Sequence, residues 1–223
     1  PFARPSLGDD PRPGPAKLVL FLDSYGREFS PYSELSTLVR TEIAQKCGDP
    51  IEFFHVSLQM HGSAPKDEQP VADYVGALCS RRVPDLIVTT GGPAARFFAK
   101  HRDRFGPTTP VVHGGPDARW LEGAGLSPQE TAILSHVDIP EQMENIFRAR
   151  PRTREVVVVM GASPAEKFWT ELFKRGWQPF ASRVRLTWLD GLAFEEIVRR
   201  CKQLPPDSAI FFGLMLTDGV GIP

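Results

Sequence analysis

Five segments of the chain place glycine or hydroxyl residues directly after a short apolar run: Asp23-Ser24-Tyr25-Gly26-Arg27, Thr90-Gly91-Gly92, His113-Gly114-Gly115, Gly161-Ala162-Ser163 and Asp190-Gly191. Such turns let a small molecule approach the main chain, because glycine has no Cβ and the N–H groups at a helix start carry partial positive charge. Ser24, Thr90 and Ser163 add hydroxyls able to hydrogen-bond a carboxylate or another polar group, and Tyr25 and Phe168 offer rings as apolar walls. Phe168 also lies at helical spacing with Leu172, which reads first as a core position. Glycine after a strand follows from turn geometry whether or not anything binds, so the argument rests on the combination.

Bond-making chemistry finds no residue set, and no catalytic residue, metal ligand or cofactor is expected. The phosphate-loop pattern and the GxGxxG fingerprint are absent, and Gly161-Ala162-Ser163 runs into Pro164 where a nucleophile elbow needs glycine. His55 and His136 fall inside strands as core or rim residues, and His61 and His101 read as solvated. Only His113, at a strand's carboxyl end, is placed to meet a ligand, with no second histidine at metal-binding spacing. Glu195 and Glu196 are adjacent on a helix and diverge, while Arg81-Arg82 and Arg199-Arg200 close helices where cations offset exposed carbonyls. Cys47, Cys79 and Cys201 are widely spaced and read as small buried hydrophobes.

These turns must be held by an alternation of strands and helices. Lys17 to Asp23 (KLVLFLD) is a short apolar run of the kind buried on both faces of a parallel sheet. Ser30 and Pro31 read as N-cap and first-turn proline of a helix that Gly48 stops. Strands at Ile51 to Val56, Asp85 to Thr90, Pro110 to His113 and Thr131 to Val137 alternate with helices at Asp67 to Ser80, Ala94 to Arg104 and Pro140 to Arg148. The pattern restarts at Glu155 to Met160, followed by helix Ala165 to Arg175, strand Arg183 to Trp188, helix Phe194 to Cys201 and strand Ala209 to Phe212. Two βα series imply two parallel sheets or one large one. Thr90-Gly91-Gly92-Pro93-Ala94 and Met160-Gly161-Ala162-Ser163-Pro164-Ala165 echo each other, either as convenient strand-to-helix turns or as matching loops across a cleft.

The 223 residues, 41% hydrophobic and 24% charged, suffice for a packed core and exclude a disordered tail, a collagen-like rod and a coiled coil. A net charge of −1 gives no drive toward polyanions, and no basic face replaces it, so nucleic acid is not an expected partner. No run reaches membrane-spanning length, and the start lacks a secretory-signal layout. Residues 1–16 carry five prolines and read as an extended leader or linker.

Leu20-Phe21-Leu22-Asp23-Ser24-Tyr25-Gly26-Arg27-Glu28-Phe29-Ser30-Pro31, with Gly92-Pro93-Ala94-Ala95-Arg96-Phe97 and Gly161-Ala162-Ser163-Pro164 downstream, resembles the periplasmic sensor regions of bacterial hybrid histidine kinases. These are similar to the substrate-binding proteins of ABC transporters. The resemblance spans about Lys17 to Gly221 and implies an α/β, type I periplasmic-binding-protein-like fold: two Rossmann-like lobes with parallel sheets, residues 17–136 and 137–223, bending near His136 to Ile139. The family's chain then crosses back into the first lobe, which this sequence does not reach, so a C-terminally incomplete second lobe is expected. Implied ligand contacts are Ser24, Tyr25, Gly26, Thr90, Gly91 and Gly92 from one lobe and Gly161, Ala162 and Ser163 from the other, alongside His113 and Asp190 from the strand ends.

The implied activity is binding of a small molecule without conversion, with closure passed to a membrane-attached kinase region of the same polypeptide or to an ABC permease. The expected location is periplasmic, tethered to the inner membrane, and a homodimer is compatible with it. A stand-alone transporter binding protein, and an α/β enzyme acting on a nucleotide or sugar, are the alternatives.

Overall fold

The computed structural model describes residues 15–26, 29–58 and 68–222. Most of the expected leader, together with Arg27, His61 and Asp67, lies outside the described residues.

Among the described residues, eight parallel strands form two separate sheets. The first sheet has the order β2-β1-β3-β4-β5, from β1 (Lys17–Asp23), β2 (Ile51–Ser57), β3 (Leu86–Thr90), β4 (Val111–Asp117) and β5 (Glu130–Ser135). The second has the order β7-β6-β8, from β6 (Glu155–Val159), β7 (Arg185–Leu189) and β8 (Ser208–Phe212). The helices are α1 (Tyr32–Lys46), α2 (Glu68–Arg81), α3 (Gly92–His101), α4 (Ile139–Ala149), α5 (Pro164–Trp177) and α6 (Phe194–Cys201).

The continuous apolar run of β1 follows from its neighbours, since helices cover both of its faces. Leu20 and Leu22 pack with Ala72, Val75 and Cys79 of α2 and Phe97 and Phe98 of α3. Phe21 and Val19 point the other way, toward Val39 and Ile43 of α1. β6 repeats this arrangement: Val156 and Val158 meet Met143 and Phe147 of α4 and Phe173 and Trp177 of α5, whereas Val157 and Val159 meet Ile197 of α6. Although α4 follows a strand of the first sheet, its apolar face belongs to the second core.

Four local readings change: His136 lies beyond the end of β5 and is exposed, His101 is nearly enclosed between Phe97 and Phe105, and the ends of two elements shift. Pro31 and not Ser30 occupies the cap position of α1, without a side-chain cap hydrogen bond, and the Ser30–Pro31 peptide is cis. β4 does not stop at His113 but continues to Asp117 through a bulge, where Gly115 at φ 71° supplies a conformation that L side chains rarely adopt.

All three cysteines are free. Cys47 caps α1 and Cys79 sits on α2, which cover opposite faces of the first sheet. Burial pushes the Cys79 thiol up to about 11. A thiol reagent at neutral pH is therefore expected to spare Cys79 until the protein unfolds. Equal labelling rates for native and denatured protein would contradict this packing.

Candidate functional site

At the carboxyl ends of β1 and β3 the predicted hydroxyls hold the two strand ends together. Ser24 Oγ donates to the Thr90 carbonyl at 2.6 Å and accepts from the Ala94 N–H, on α3, at 2.9 Å. Gly91, at φ 80°, is needed here, because a Cβ would lie 2.9 Å from Ser24 Oγ and 3.0 Å from the Tyr32 ring. Thr90 Oγ1 donates to Asp23 Oδ1 at 2.7 Å, as does Ser36 Oγ from α1 at the same distance. His55 Nδ1 stands 3.1 Å from Asp23 Oδ2. Burial opposes ionisation of Asp23, but hydrogen bonds from His55, Ser36 and Thr90 outweigh it and hold the carboxyl below its usual range.

Aromatic rings gather over these turns. Tyr25, Phe29 and Tyr32 form a cluster, with Tyr25 and Phe29 centroids 4.4 Å apart. Burial, and secondarily Tyr32 and Glu166, raise the Tyr25 phenol, which remains a neutral hydrogen-bonding group. Beyond β4, a 3-10 turn at Ala118–Trp120 lays the Trp120 indole against the start of α3. A Cβ at Gly92 would sit 2.2 Å from that ring, so this glycine is needed for close approach.

In the second half, Ser163 caps α5 in a reciprocal capping box with Glu166. Glu166 has no exposed surface; its Oε2 accepts from the Ser163 N–H at 2.6 Å and its Oε1 from the Leu216 N–H. The N–H groups of Gly161 and Ala162 donate to the Leu214 and Thr217 carbonyls, each at 2.8 Å. The expected donors of this loop are therefore committed to the segment after β8. Asp190 is engaged as well, by Lys174 Nζ of α5 at 2.9 Å.

The halves meet where strand ends of both sheets converge. Trp120 and Phe168 lie with centroids 3.9 Å apart, and the Arg119 guanidinium sits 5.3 Å over the Trp169 ring. Asp117 and Arg119 also grip the crossover between β5 and α4: Asp117 Oδ2 accepts from the Val137 N–H at 2.9 Å, and Arg119 Nη2 donates to the Val137 carbonyl at 2.7 Å. Burial of Asp117 is outweighed by hydrogen bonds from Arg119 and the Val137 N–H, so its carboxyl also lies below the usual 3.8. Asp23 and Asp117 hence contribute stability that is full above that value and is lost as pH falls through their lower folded values. Stability is expected to decline as pH falls below about 4, with a shallower slope in Asp117→Asn. Parallel wild-type and variant slopes in acid titrations of chemical denaturation would count against it.

His113 takes a different position from the expected one. Its ring is fully buried inside the first sheet's core, edge-on to Phe98, with Nδ1 2.8 Å from Thr89 Oγ1 and Nε2 3.2 Å from Glu130 Oε2. Burial pulls its pKa down despite the Glu130 carboxylate. The longer β4 is the reason: His113 is mid-strand and its side chain faces α3.

Ser24, Tyr25, Gly26, Thr90, Gly91 and Gly92 are thus brought to one end of the first sheet, with Gly161, Ala162 and Ser163 at the matching end of the second. Sequence reasoning passed over Asp23–His55, Trp120, Arg119 and Glu166. Only Glu166 had a local signal, the Ser-x-x-Glu spacing of a capping box. Among the described residues, no group of three or more His, Cys, Asp or Glu side chains could hold a metal ion, and no helix is long and apolar enough to cross a membrane.

No family model and no curated protein sequence matches the chain. Solved structures do. An ABC domain from Streptococcus pneumonia in complex with L-Trp aligns over 90% of this chain and 66% of its own, at 16% identity and a TM-score of 0.61. The fructose-binding periplasmic domain of a hybrid two-component system aligns over 91% of this chain and 65% of its own, at 14% identity and a TM-score of 0.58. A solute-binding protein of an ABC transporter from Rhodopseudomonas palustris, in complex with 3,4-dihydroxybenzoic acid, aligns over 92% and 55%, at 16% identity and a TM-score of 0.58. The chain spans less than two thirds of the length of these neighbours. The likeness establishes the fold: α/β, of the type I periplasmic-binding-protein kind.

Proposed function

We propose that the chain is an extracytoplasmic small-molecule-binding module whose lobes, residues 17–136 and 137–223, close on a solute and pass that closure to a membrane-attached histidine kinase. The junction of the two halves supports this most directly: Trp120, which lies against Gly92 at the start of α3, meets Phe168 of α5 at 3.9 Å between ring centroids. A solute entering there contacts both lobes, and only the closed arrangement offers all of its contacts at once. Closure is stabilised by that difference in affinity. Bending falls in the crossover at His136 to Ile139, where the Asp117–Arg119 pair holds Val137.

The groups available at the junction are chiefly aromatic rings and main chain, because the hydroxyls of Ser24 and Thr90 are already engaged. This favours a solute with a flat or ring-shaped apolar face and few polar groups, bound and released unchanged. The sensor role follows the resemblance of Leu20 to Pro31, Gly92 to Phe97 and Gly161 to Pro164 to sensor regions. A transporter binding protein would share the same lobes.

A thermal-shift screen with aromatic amino acids, hydroxybenzoates and hexoses tests the reading. A ligand at a hundred times its Kd should stabilise the protein by about 2.7 kcal/mol. Small-angle scattering should then report compaction, mass spectrometry should recover the ligand unchanged, and Phe168→Ala should weaken binding. Conversion of the ligand, or binding without compaction, would overturn the proposal. Ligand-dependent autophosphorylation of the full polypeptide in membrane vesicles supports the sensor role, and unchanged phosphorylation assigns the module to transport.

A further inference from the structure

The charge pattern along the chain suggests no basic face, but the fold assembles one at the amino ends of the second sheet. Arg150, Arg152 and Arg154 lie between α4 and β6, and Arg183 and Arg185 stand just before and at the start of β7. All five are exposed. Main-chain hydrogen bonds set these segments side by side: the Arg185 N–H donates to the Arg154 carbonyl at 2.9 Å, and the Arg154 N–H to the Asp207 carbonyl at 2.8 Å. Arg150 reaches the same loop, its Nη2 donating to the Pro206 carbonyl at 3.1 Å, while the Arg183 guanidinium lies 3.5 Å over the Phe147 ring.

These charges are not spent inside the molecule. Arg82, Arg104 and Arg148, also exposed, each meet a carboxylate, of Glu52, Asp73 and Glu141 respectively. Among the described residues no carboxylate pairs with any of the five. The carboxylates at the same strand ends are Glu155, which accepts from Thr187 Oγ1 at 2.7 Å, and Asp207, so the face stays net positive. In a chain of formal charge −1, five cations on one face leave the rest of the molecule acidic. Such a charge separation orients a protein toward a polyanionic surface.

We propose that this face docks on an anionic lipid surface, its arginines pairing with headgroup phosphates. A guanidinium offers a planar pair of N–H donors that matches two phosphate oxygens, and it is more weakly hydrated than an ammonium. The level starts of β6, β7 and β8 put the five side chains at one end of the lobe. The turn Gly161 to Ser163 lies at the other end, roughly 20 Å away along β6, so a docked protein keeps its cleft open. The choice of lipid over another polyanion rests on the extracytoplasmic reading above, under which headgroups form the extended phosphate surface within reach. Each arginine close to such a surface strengthens attachment about fivefold, an effect that salt screens.

Flotation of the purified protein with vesicles tests this, comparing equal parts phosphatidylglycerol and phosphatidylethanolamine with phosphatidylcholine alone. Binding should occur on the anionic vesicles only and fall as sodium chloride is raised. Arg152→Gln/Arg185→Gln should weaken it about tenfold or more, and Arg152→Lys/Arg185→Lys should retain most of it. Lys46→Gln/Arg81→Gln, which removes the same charge from the first half of the chain, should leave it nearly unchanged, with every variant checked to melt as the wild type does. Equal binding to both vesicle types, insensitivity to salt, or equal losses in the two glutamine double variants would overturn the proposal. So would tighter binding to double-stranded DNA or polyglutamate than to the anionic vesicles, which would give the face to that polyanion instead. Phe168→Ala should float as the wild type does, so the lobe-closure reading can fail while this one stands, and the reverse.

Discussion

Replacing Glu166 with alanine is expected to destabilise the protein by about 2–5 kcal/mol, from two enclosed N–H groups left unpaired at ~1–3 kcal/mol each, while Ser163 continues to cap α5. The side chain is inaccessible to solvent and joins two loops distant in sequence, taking the Ser163 N–H at 2.6 Å and the Leu216 N–H with its other oxygen. Without it, both donors stay inside with no acceptor, and water would have to enter the gap. Because the same carboxylate fills the space that a Cβ on Gly161 would occupy, at 2.3 Å, the loop from Gly161 to Ser163 should also lose its shape. Glu166→Gln keeps one acceptor but turns an amide donor toward the second N–H, so an intermediate loss is expected. Denaturant unfolding measures the energies, and hydrogen exchange at the Ser163 and Leu216 amides reports where the structure opens. A loss below about 1 kcal/mol for alanine would mean that water substitutes for the carboxylate.

Trp177→Ala should cost about 3–5 kcal/mol, the range for emptying a fully buried aromatic position. The indole touches no solvent and packs against Phe173 at 4.9 Å and Phe211 at 4.8 Å between ring centroids, which ties α5 to β8. Its Nε1 also donates to the Ile139 carbonyl at 2.7 Å, at the first turn of α4. The two helices approach closely there, since a Cβ on Gly176 would come within 2.6 Å of Ile139 Cγ2. Loss of the indole should therefore loosen α4 from the second core, with a fall in near-ultraviolet dichroism along with stability. Trp177→Phe, which restores most of the volume but not the hydrogen bond, should recover more than half of the loss. Equal loss in the two variants would show that the hydrogen bond, and not packing, carries the position.

The alternation of eight strands and six helices was legible because each element announces itself locally. KLVLFLD and EVVVV are apolar at every position or nearly so, which only a strand covered on both faces tolerates, and Pro93, Pro140 and Pro164 stand at helix starts. The restart of the pattern at Glu155 was legible too, but whether it meant one sheet or two was not. That choice depends on which strands exchange hydrogen bonds, and β6 pairs with β7 and β8 without touching the first sheet's ladder.

The candidate site divides along the same line. The backbone turns Ser24 to Gly26, Thr90 to Gly92 and Gly161 to Ser163 could be placed from the residues alone, because a parallel strand leading into a helix puts its turn at one defined end of the sheet. How their polar groups are spent could not, since Asp23 meets His55 across 32 positions and Thr90 across 67. Those pairs are set by strand register, as the pairing of Asp23 with Ser57 on one side and Thr90 on the other shows. His113 illustrates the cost of an error in length: four further residues of β4 turned an expected ligand contact into a core histidine. By itself the chain determined where its strands and helices lie and which ends carry small residues, because hydrophobic periodicity, capping and turn geometry act over a few neighbouring residues. Tertiary structure alone decided that Trp120 meets Phe168, that the serine and threonine hydroxyls are consumed internally, and that Asp23 holds the His55 ring. Such contacts join segments far apart in the chain, and their partners exist only once the sheets have set the register.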